Sequence, residues 1–376
     1  MQGIITKYSK WLDDKKPQTT NKIKYVTSYV KKWLFVLNNA AFAEGINFID
    51  CMCNAGVYKD GDLCTSIEVL KLFIESATIH KEKTYYLYLN DYSSQRIAII
   101  KEVVAKIYKT KLPNLHIHYS EEDVNEYLSY LIKSNKFNYP QATLLYVDPY
   151  DFGTVHIPTL RKFCAQYYCE LLFNLFTSDW VRNRNNEMDS RIDKVIDNPA
   201  AVISNKQDLV DYIFDQLKVG RMQYGFNYEF HTETNVELYQ IIYLTPNDAG
   251  LEKLKDALWD TFKGATYYRN PSKKKIDENQ LSFFTSEMEE QLAKDAEDNI
   301  IKYNVDIARK IVCSLPHKKH VSFKDIANPV LERTMLKKGH LQKHLFKVLI
   351  AEGVIIKLNE VARKNNYTSD SYDIKG

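Results

Sequence analysis

No uninterrupted run of about 18 apolar residues occurs in the chain, so no part of it is expected to span a membrane. The opening stretch MQGIITKYSKWLDDKK lacks the apolar core of a secretory leader, and none is expected. Glycine and proline are scarce, 12 and 10 among 376 residues, which argues against long disordered linkers. Neither charge sign dominates. The 51 basic and 48 acidic residues leave a net charge of +3, so any nucleic-acid contact has to come from a local patch. The six cysteines (51, 53, 64, 164, 169 and 313) contain no CxxC pair, and the nine histidines form no HxxxH pair with a nearby acid. No metal site is therefore expected, and the thiols read as reduced side chains of a cytoplasmic protein. A GxGxxG fingerprint and a GxxxxGK[ST] loop are both missing, which counts against ordinary dinucleotide binding and phosphate-loop hydrolysis.

What is present is ordinary globular material. Hydrophobic residues make up 45% and charged residues 26%, enough to bury a core in a chain long enough for two domains. The 27 tyrosines and 17 phenylalanines read first as core and helix-interface residues. Residues 22–37 carry an amphipathic helical pattern. After it, strand and helix patterns alternate: INFID, a helix at 65–77 capped by Thr65 or Ser66, TYYLYLN, a helix from Ser93 or Ser94, LHIHYS, a helix at 121–135, ATLLYV, RKFCAQYY and CELLFNLF. VELYQIIYLTPN and LEKLKDALWDTF supply a late strand and helix. This alternation predicts an α/β fold, a Rossmann-like parallel sheet with an antiparallel late strand.

The domain division expected is 1–292 for the sheet, with a helical insertion at about 180–232, and 293–376 for a small winged helix-turn-helix with a flexible tail. His340 and His344 stand i, i+4 on its last helix among Lys337, Lys338, Lys343 and Lys347. They read as a basic face, either solvated, in contact with a protein, or presented to a phosphate or groove.

Three strand ends carry candidate chemistry. Asp50-Cys51-Met52-Cys53-Asn54-Ala55-Gly56 leads from a strand into a turn, where Gly56 serves close approach to a ligand or a positive φ, and Asp50 a ligand's amino-acid end. Cys51 and Cys53 read as packing rather than redox groups. Asp91 ends the next strand, where an acid suits ribose hydroxyls. Asp148-Pro149-Tyr150-Asp151-Phe152-Gly153 follows a fourth strand. Its carboxylate would accept the hydrogens of an exocyclic amine, Pro149 stiffens the turn, and Tyr150 and Phe152 offer rings to a flipped base. Trp180, Arg182 and Arg184 follow the fifth strand and are candidates for the substrate mouth.

The run from about 18 to 290 resembles the three-Cys-motif partner family (TcmP). The likeness is carried by QTTNKIKYVTSYVKKWL, FIDCMCNAGVYKDG, LLYVDPYDFG, LLFNLFTSDWVRN and VELYQIIYLTPNDAGLEKL, with Thr19, Lys22, Tyr58, Asp60 and Gly61 on pattern. The glycine loop reads Cys-Asn-Ala-Gly where that family more often has Ala-Gly-Pro-Gly, and Asp151 is an extra acid. The resemblance implies a class I methyltransferase fold, S-adenosylmethionine as cofactor, a C-terminal winged helix, and a partner with three cysteines resembling radical S-adenosylmethionine enzymes. Three functions follow in order of support. The first is a methyltransferase acting on a base amine of DNA or RNA. The second is a non-catalytic or partner-dependent adaptor, as in phage defence. The third is a nucleotide-sensing or hydrolysing protein using the same crevice.

Overall fold

A computed structural model describes residues 1–177, 192, 195–196, 203–231, 237–262, 286–358 and 371–375. Helices α1 (Gln2–Tyr8) and α2 (Pro17–Asn38) precede the first strand. Proline at the first position of α2 meets no helical hydrogen-bond demand. Its stripe Tyr25, Val26, Tyr29, Val30, Trp33, Leu34 and Leu37 is buried at helical spacing.

Strands β1 (Gly45–Asp50), β2 (Thr84–Asn90), β3 (Leu115–Ser120), β4 (Gln141–Val147) and β5 (Cys169–Leu175) alternate with α3 (Thr65–Ile79), α4 (Ser94–Ile107), α5 (Val124–Ser134) and α6 (Ile157–Gln166). Then come α7 (Lys206–Leu217), β6 (Tyr224–His231), β7 (Glu237–Thr245) and α8 (Asp248–Phe262). The seven strands form one sheet in the order β3-β2-β1-β4-β5-β7-β6. The first five run parallel, and β7 runs antiparallel to both β5 and β6. This is the expected Rossmann-like sheet with an antiparallel late strand. Every residue of β1 is buried, as a strand covered by helices on both faces requires. Side chains of α2, α3, α4 and α8 fill one apolar layer, and those of α5, α6 and α7 the other.

Two expectations fail within this part. Residues 224–231, assigned by sequence to a helical insertion, form the edge strand β6. YGFNYEFH alternates aromatic with other residues at period two, and the long strand β7 gives it a ladder partner. Nor does Thr65 or Ser66 cap α3. The cap is Cys64, without a side-chain bond, and Ser66 turns inward to Asp50.

The C-terminal part begins ahead of the division read from the sequence. Helix α9 (Ser286–Cys313) runs across the predicted division at 292/293, while the charge run SKKKIDEN lies outside the described residues. Strand β8 (Lys318–Ser322) and α10 (Phe323–Arg333) follow, joined by a reciprocal Ser322–Asp325 capping box. Next comes α11, built from the turn Lys338–His340, the π-turn Leu341–Leu345 and the helix Phe346–Ala351, and then β9 (Ile355–Lys357) and β10 (Ser371–Ile374). The tail expected to be flexible supplies β10, the middle strand of the antiparallel sheet β8-β10-β9. Tyr372 anchors it, fully buried with its ring 5.4 Å from Phe346.

This part is bonded to the main sheet through α8 and β6. Trp259 Nε1 donates to the Met335 carbonyl at 2.5 Å, and Lys255 Nζ to that of Thr334 at 2.5 Å. Burial holds the Lys255 amine well below its ordinary pKa. His340, expected on a basic outer face, is buried instead, with its ring edge-on to Trp259 at 4.4 Å. Burial and neighbouring Lys337 push its pKa down to about 4, so it is a neutral packing group. Glu332 accepts from Lys218 Nζ at 2.7 Å and from the Gly225 amide at 2.8 Å. Glu332→Ala leaves that amide without its acceptor and is expected to lower stability by about 1 kcal/mol in urea denaturation. An unchanged midpoint would show that this contact does not hold the two parts together.

Candidate active site

Strand order reverses between β1 and β4, the place where an open α/β sheet leaves a crevice beyond its carboxyl ends. A cavity of about 600 Å³ opens there. Its wall holds Asp50, Met52, Cys53, Asn54 and Tyr58 from the β1–α3 loop, Thr19 and Lys22 from α2, Asp148, Pro149 and Tyr150 after β4, and Arg96 from α4. The volume falls in the range of small-molecule sites.

Asp50 ends β1 and is almost fully buried. One carboxylate oxygen accepts from the Met52 amide at 3.1 Å and the other from the Ser66 hydroxyl at 2.5 Å. Burial raises its pKa to about 7 against the opposing pull of those two bonds, and the charges of Asp148 and Asp91 add to the rise.

Asp91, just past β2, accepts from the Asn54 amide at 3.1 Å and the Ser93 amide at 2.9 Å. Burial raises its pKa too, opposed by the Ser93 amide, the Arg96 charge and the Asn54 amide. Its neighbour Asn90 ties three strand ends together, donating to the carbonyls of Cys51 and Glu122 and accepting from the Glu122 amide. The loop and the acid are thereby held side by side.

The loop's glycine is used for packing. Gly56 has φ 86°, and a Cβ there would lie 2.9 Å from Ile100 Cγ1 and 3.3 Å from Ile67 Cγ1. Of the two roles read from sequence, positive φ is realised, and the near neighbours are α3 and α4 side chains. Gly56→Ala is expected to destabilise by about 2 kcal/mol, measured by urea unfolding. A cost near zero would mean that α4 yields freely. The residue on the open side is Asn54, itself left-handed at φ 59°, a conformation asparagine tolerates.

Asp148 is surrounded by donors. Lys22 Nζ reaches one oxygen at 2.5 Å, with the Tyr146 hydroxyl at 3.1 Å, and Asn174 Nδ2 donates to the other at 2.9 Å. Tyr25 in turn donates to Asn174 Oδ1 at 2.9 Å, fixing which way that amide points. Tyr150 is half exposed. Its hydroxyl accepts from Arg96 at 3.1 Å, and the guanidinium lies 5.1 Å from its ring centre.

Several sequence assignments need correcting. Phe152 is buried in the apolar layer of α5 and α6, so it offers no ring to the cavity. Cys51 points into that same layer, on the far side of β1 from the cavity. Ala55, Gly56 and Asp91 are buried behind Asn54 and are not part of the wall. Asp60 lies outside the cavity, ion-paired with Lys15 at 3.4 Å. Burial raises the thiol pKa of Cys51 and Cys53 and takes that of Cys64 to about 12, so all three stay protonated. Trp180, Arg182 and Arg184 lie outside the described residues.

Sequence reading missed the N-terminal arm and Arg96. Asp13 accepts from Arg96 Nη2 at 3.1 and 3.2 Å and from Asn54 Nδ2 at 2.9 Å. Lys15 pairs with Asp62 and Lys59 with Asp14, binding the arm to the β1–α3 loop across the cavity mouth. Arg96 carried one signal in the sequence. A cation in the first turn of a helix opposes the helix dipole and needs a local acid to compensate it.

No protein-family profile matches the chain, and no curated protein matches it. Among solved structures it is similar to a protein of family DUF519 from Legionella pneumophila, at 10% identity and TM-score 0.39 over 65% of this chain and 94% of that one. It is similar also to a SAM-dependent methyltransferase from Agrobacterium tumefaciens, at 9% identity and TM-score 0.34 over 58% of this chain and 61% of that one. A third is a putative class I S-adenosylmethionine-dependent methyltransferase from Listeria monocytogenes, at 8% identity and TM-score 0.31, covering 59% of this chain and 60% of that one. At these scores the likenesses add nothing to the strand order, on which the class I methyltransferase-like fold rests.

Proposed function

We propose that the crevice binds S-adenosylmethionine and that the protein methylates a base amine of nucleic acid. The observation that carries the reading is the meeting of Asp50 and Asp148 from two strand ends in the wall of one crevice, with Asp91 of a third strand end buried directly behind the wall residue Asn54. The donor set fits the cofactor. Asp13, Asp14, Asp50 and Asp148 line the wall together with Lys16, Lys22 and Arg96, and these acids would meet the sulfonium and ammonium charges of the ligand. Asp91 stands where ribose hydroxyls are met in such sheets, with Asn54 and Cys53 as the adjoining loop. When bound, the cofactor supplies an already reactive methyl group, so the protein's task is to position the acceptor.

Lys22 and Asn174 hold the Asp148 carboxylate in one orientation. It is the acceptor for amine hydrogens, and Tyr150 is the ring against which a base stacks. Thr19 and Tyr58 complete the mouth. The order α9-β8-α10-α11-β9-β10 supports a winged helix that brings the nucleic acid in. Six cysteines without a disulfide among them suit the cytoplasm. Among the described residues no helix is long and apolar enough to cross a membrane.

One observation favours a second reading. Lys22 already occupies Asp148, and Asp13 already occupies Arg96 and Asn54, so the crevice satisfies its own charges. In that reading the protein is an adaptor, or is activated when a three-cysteine partner draws the arm away.

Tritium-labelled S-adenosylmethionine incubated with the full chain and DNA, RNA or protein tests the proposal. Label in nucleic acid is expected. Absence of cofactor binding in calorimetry overturns the enzyme reading and leaves the adaptor.

A further inference from the structure

The outer corner of the main sheet is built unlike the rest. A sheet of this class is covered by helices on both faces. Here α5 lays Tyr127, Leu128 and Leu131 into the layer formed with Ile49 of β1 and Leu145 and Val147 of β4. The same face of β2 and β3 carries Tyr86, Tyr88, His116 and His118, the tyrosines half-buried and both imidazoles exposed.

The parallel register sets Tyr86 beside His116 and Tyr88 beside His118. Their rings lie nearly parallel: 5.2 Å and 27° for the first pair, 4.7 Å and 15° for the second. Tyr86 is 6.3 Å from both Tyr88 and His118, at 24° and 19°. Phe137 meets Tyr88 edge-on at 5.2 Å and 78°, fixing the ladder from below. Tyr130 of α5, 56% exposed, and Lys136 border it, close enough for Tyr130 to act electrostatically on Tyr88 and Lys136 on His118. The other side chains that β2 and β3 place on this face are Thr84, Asn90 and Ser120, none of them acidic.

We infer that this four-ring ladder on β2 and β3 is a stacking platform for the bases of single-stranded nucleic acid. The rings of each pair stack on one another, which leaves the outer faces of His116 and His118, exposed on the edge strand and one alternate residue apart, for unpaired bases of any identity to extend the stack. Lys136 at its border and the absence of a carboxylate among the β2 and β3 side chains of this face suit a phosphate backbone, while the exposed imidazoles offer rings and ring N–H donors. A greasy protein partner would be better met by aliphatic residues than by histidines. The ladder lies on the strand that ends beside Asp91, so a bound strand would run towards the crevice. The inference adds a binding surface to the proposed reaction but does not depend on methyl transfer.

Fluorescence anisotropy tests it, using the full chain without cofactor, a short labelled DNA or RNA single strand, and the matching duplex at low salt. The single strand is expected to bind more tightly than the duplex. Tyr86→Ala and His118→Ala are each expected to weaken it about tenfold, while Tyr86→Phe retains it. Equal binding by wild type and the alanine variants overturns the inference, and so does no binding of single strands. Sedimentation covers another occupant: a dimer lost in His118→Ala, with no nucleic acid bound, would show that β3 pairs with a second copy. Calorimetric titration of Tyr86→Ala with S-adenosylmethionine, expected unchanged, keeps failure of the platform separate from failure of the crevice.

Discussion

Replacing Asp91 by alanine is expected to weaken S-adenosylmethionine binding about a hundredfold, measured by calorimetric titration of the purified chain. The acid sits past the end of β2 with an oxygen on the Asn54 amide and another on the Ser93 amide. Asp91 is buried behind Asn54 with Arg96 Nη1 3.9 Å from one oxygen, so a ribose has to enter past that loop to meet it. A carboxylate then accepting from two hydroxyls makes charge-assisted bonds of about 1.5 kcal/mol or more each. Losing both corresponds to roughly 3 kcal/mol, or about two decades in affinity. Asp91→Asn keeps the shape and one acceptor, so it should fall between the two. If Asp91→Ala binds as tightly as wild type while melting at the same temperature, the ribose assignment is wrong. If wild type binds nothing, the crevice is not a cofactor site, and the paired state of Asp13, Arg96 and Lys22 is its working state.

Much of this arrangement was legible because parallel sheets write themselves into sequence. INFID, TYYLYLN and ATLLYV are short apolar runs, each closing on or followed directly by an acid or asparagine, and each is a strand. Asp50, Asp91 and Asp148 were found for that reason. Phe152 was misplaced because a turn after a strand can send an aromatic either way, and here it fills the layer over β4. Asp13 was illegible. It lies on an arm without periodicity, 83 residues from the arginine it meets. Residues 224–231 were misread although β7 was legible as a strand, because their pairing with it shows only once the sheet has been assembled. His340 shows the same blindness. At i, i+4 from His344 it looks like a surface pair, and only the position of Trp259 turns it inward.

Asp50 supports the other large prediction, and here the direction with pH matters. The carboxyl keeps its proton up to about pH 7 in the folded chain, against an ordinary value of 3.8. Between those values the folded state binds more protons than the unfolded state, so stability falls as pH rises and the loss is complete above pH 7. A rise of this size corresponds to about 4 kcal/mol. Asp50→Asn removes the titration and keeps the shape. Its amide donates to Ser66 Oγ, and that hydroxyl turns to the Cys53 carbonyl 3.4 Å away. The variant should match wild type near pH 4 and exceed it by a few kcal/mol at pH 8 in urea unfolding. Parallel pH profiles for the two proteins would show that Asp50 is charged in the folded state, satisfied by Met52 and Ser66 alone. The same carboxyl gives the cofactor reading a signature beyond activity. An ammonium group brought beside Asp50 pulls its pKa down, so binding releases a proton and tightens as pH rises through 7. Titrations in two buffers of different ionisation enthalpy should report that proton in wild type and none in Asp50→Asn. A proton release equal in both would move the ligand's cation away from β1 and towards Asp148.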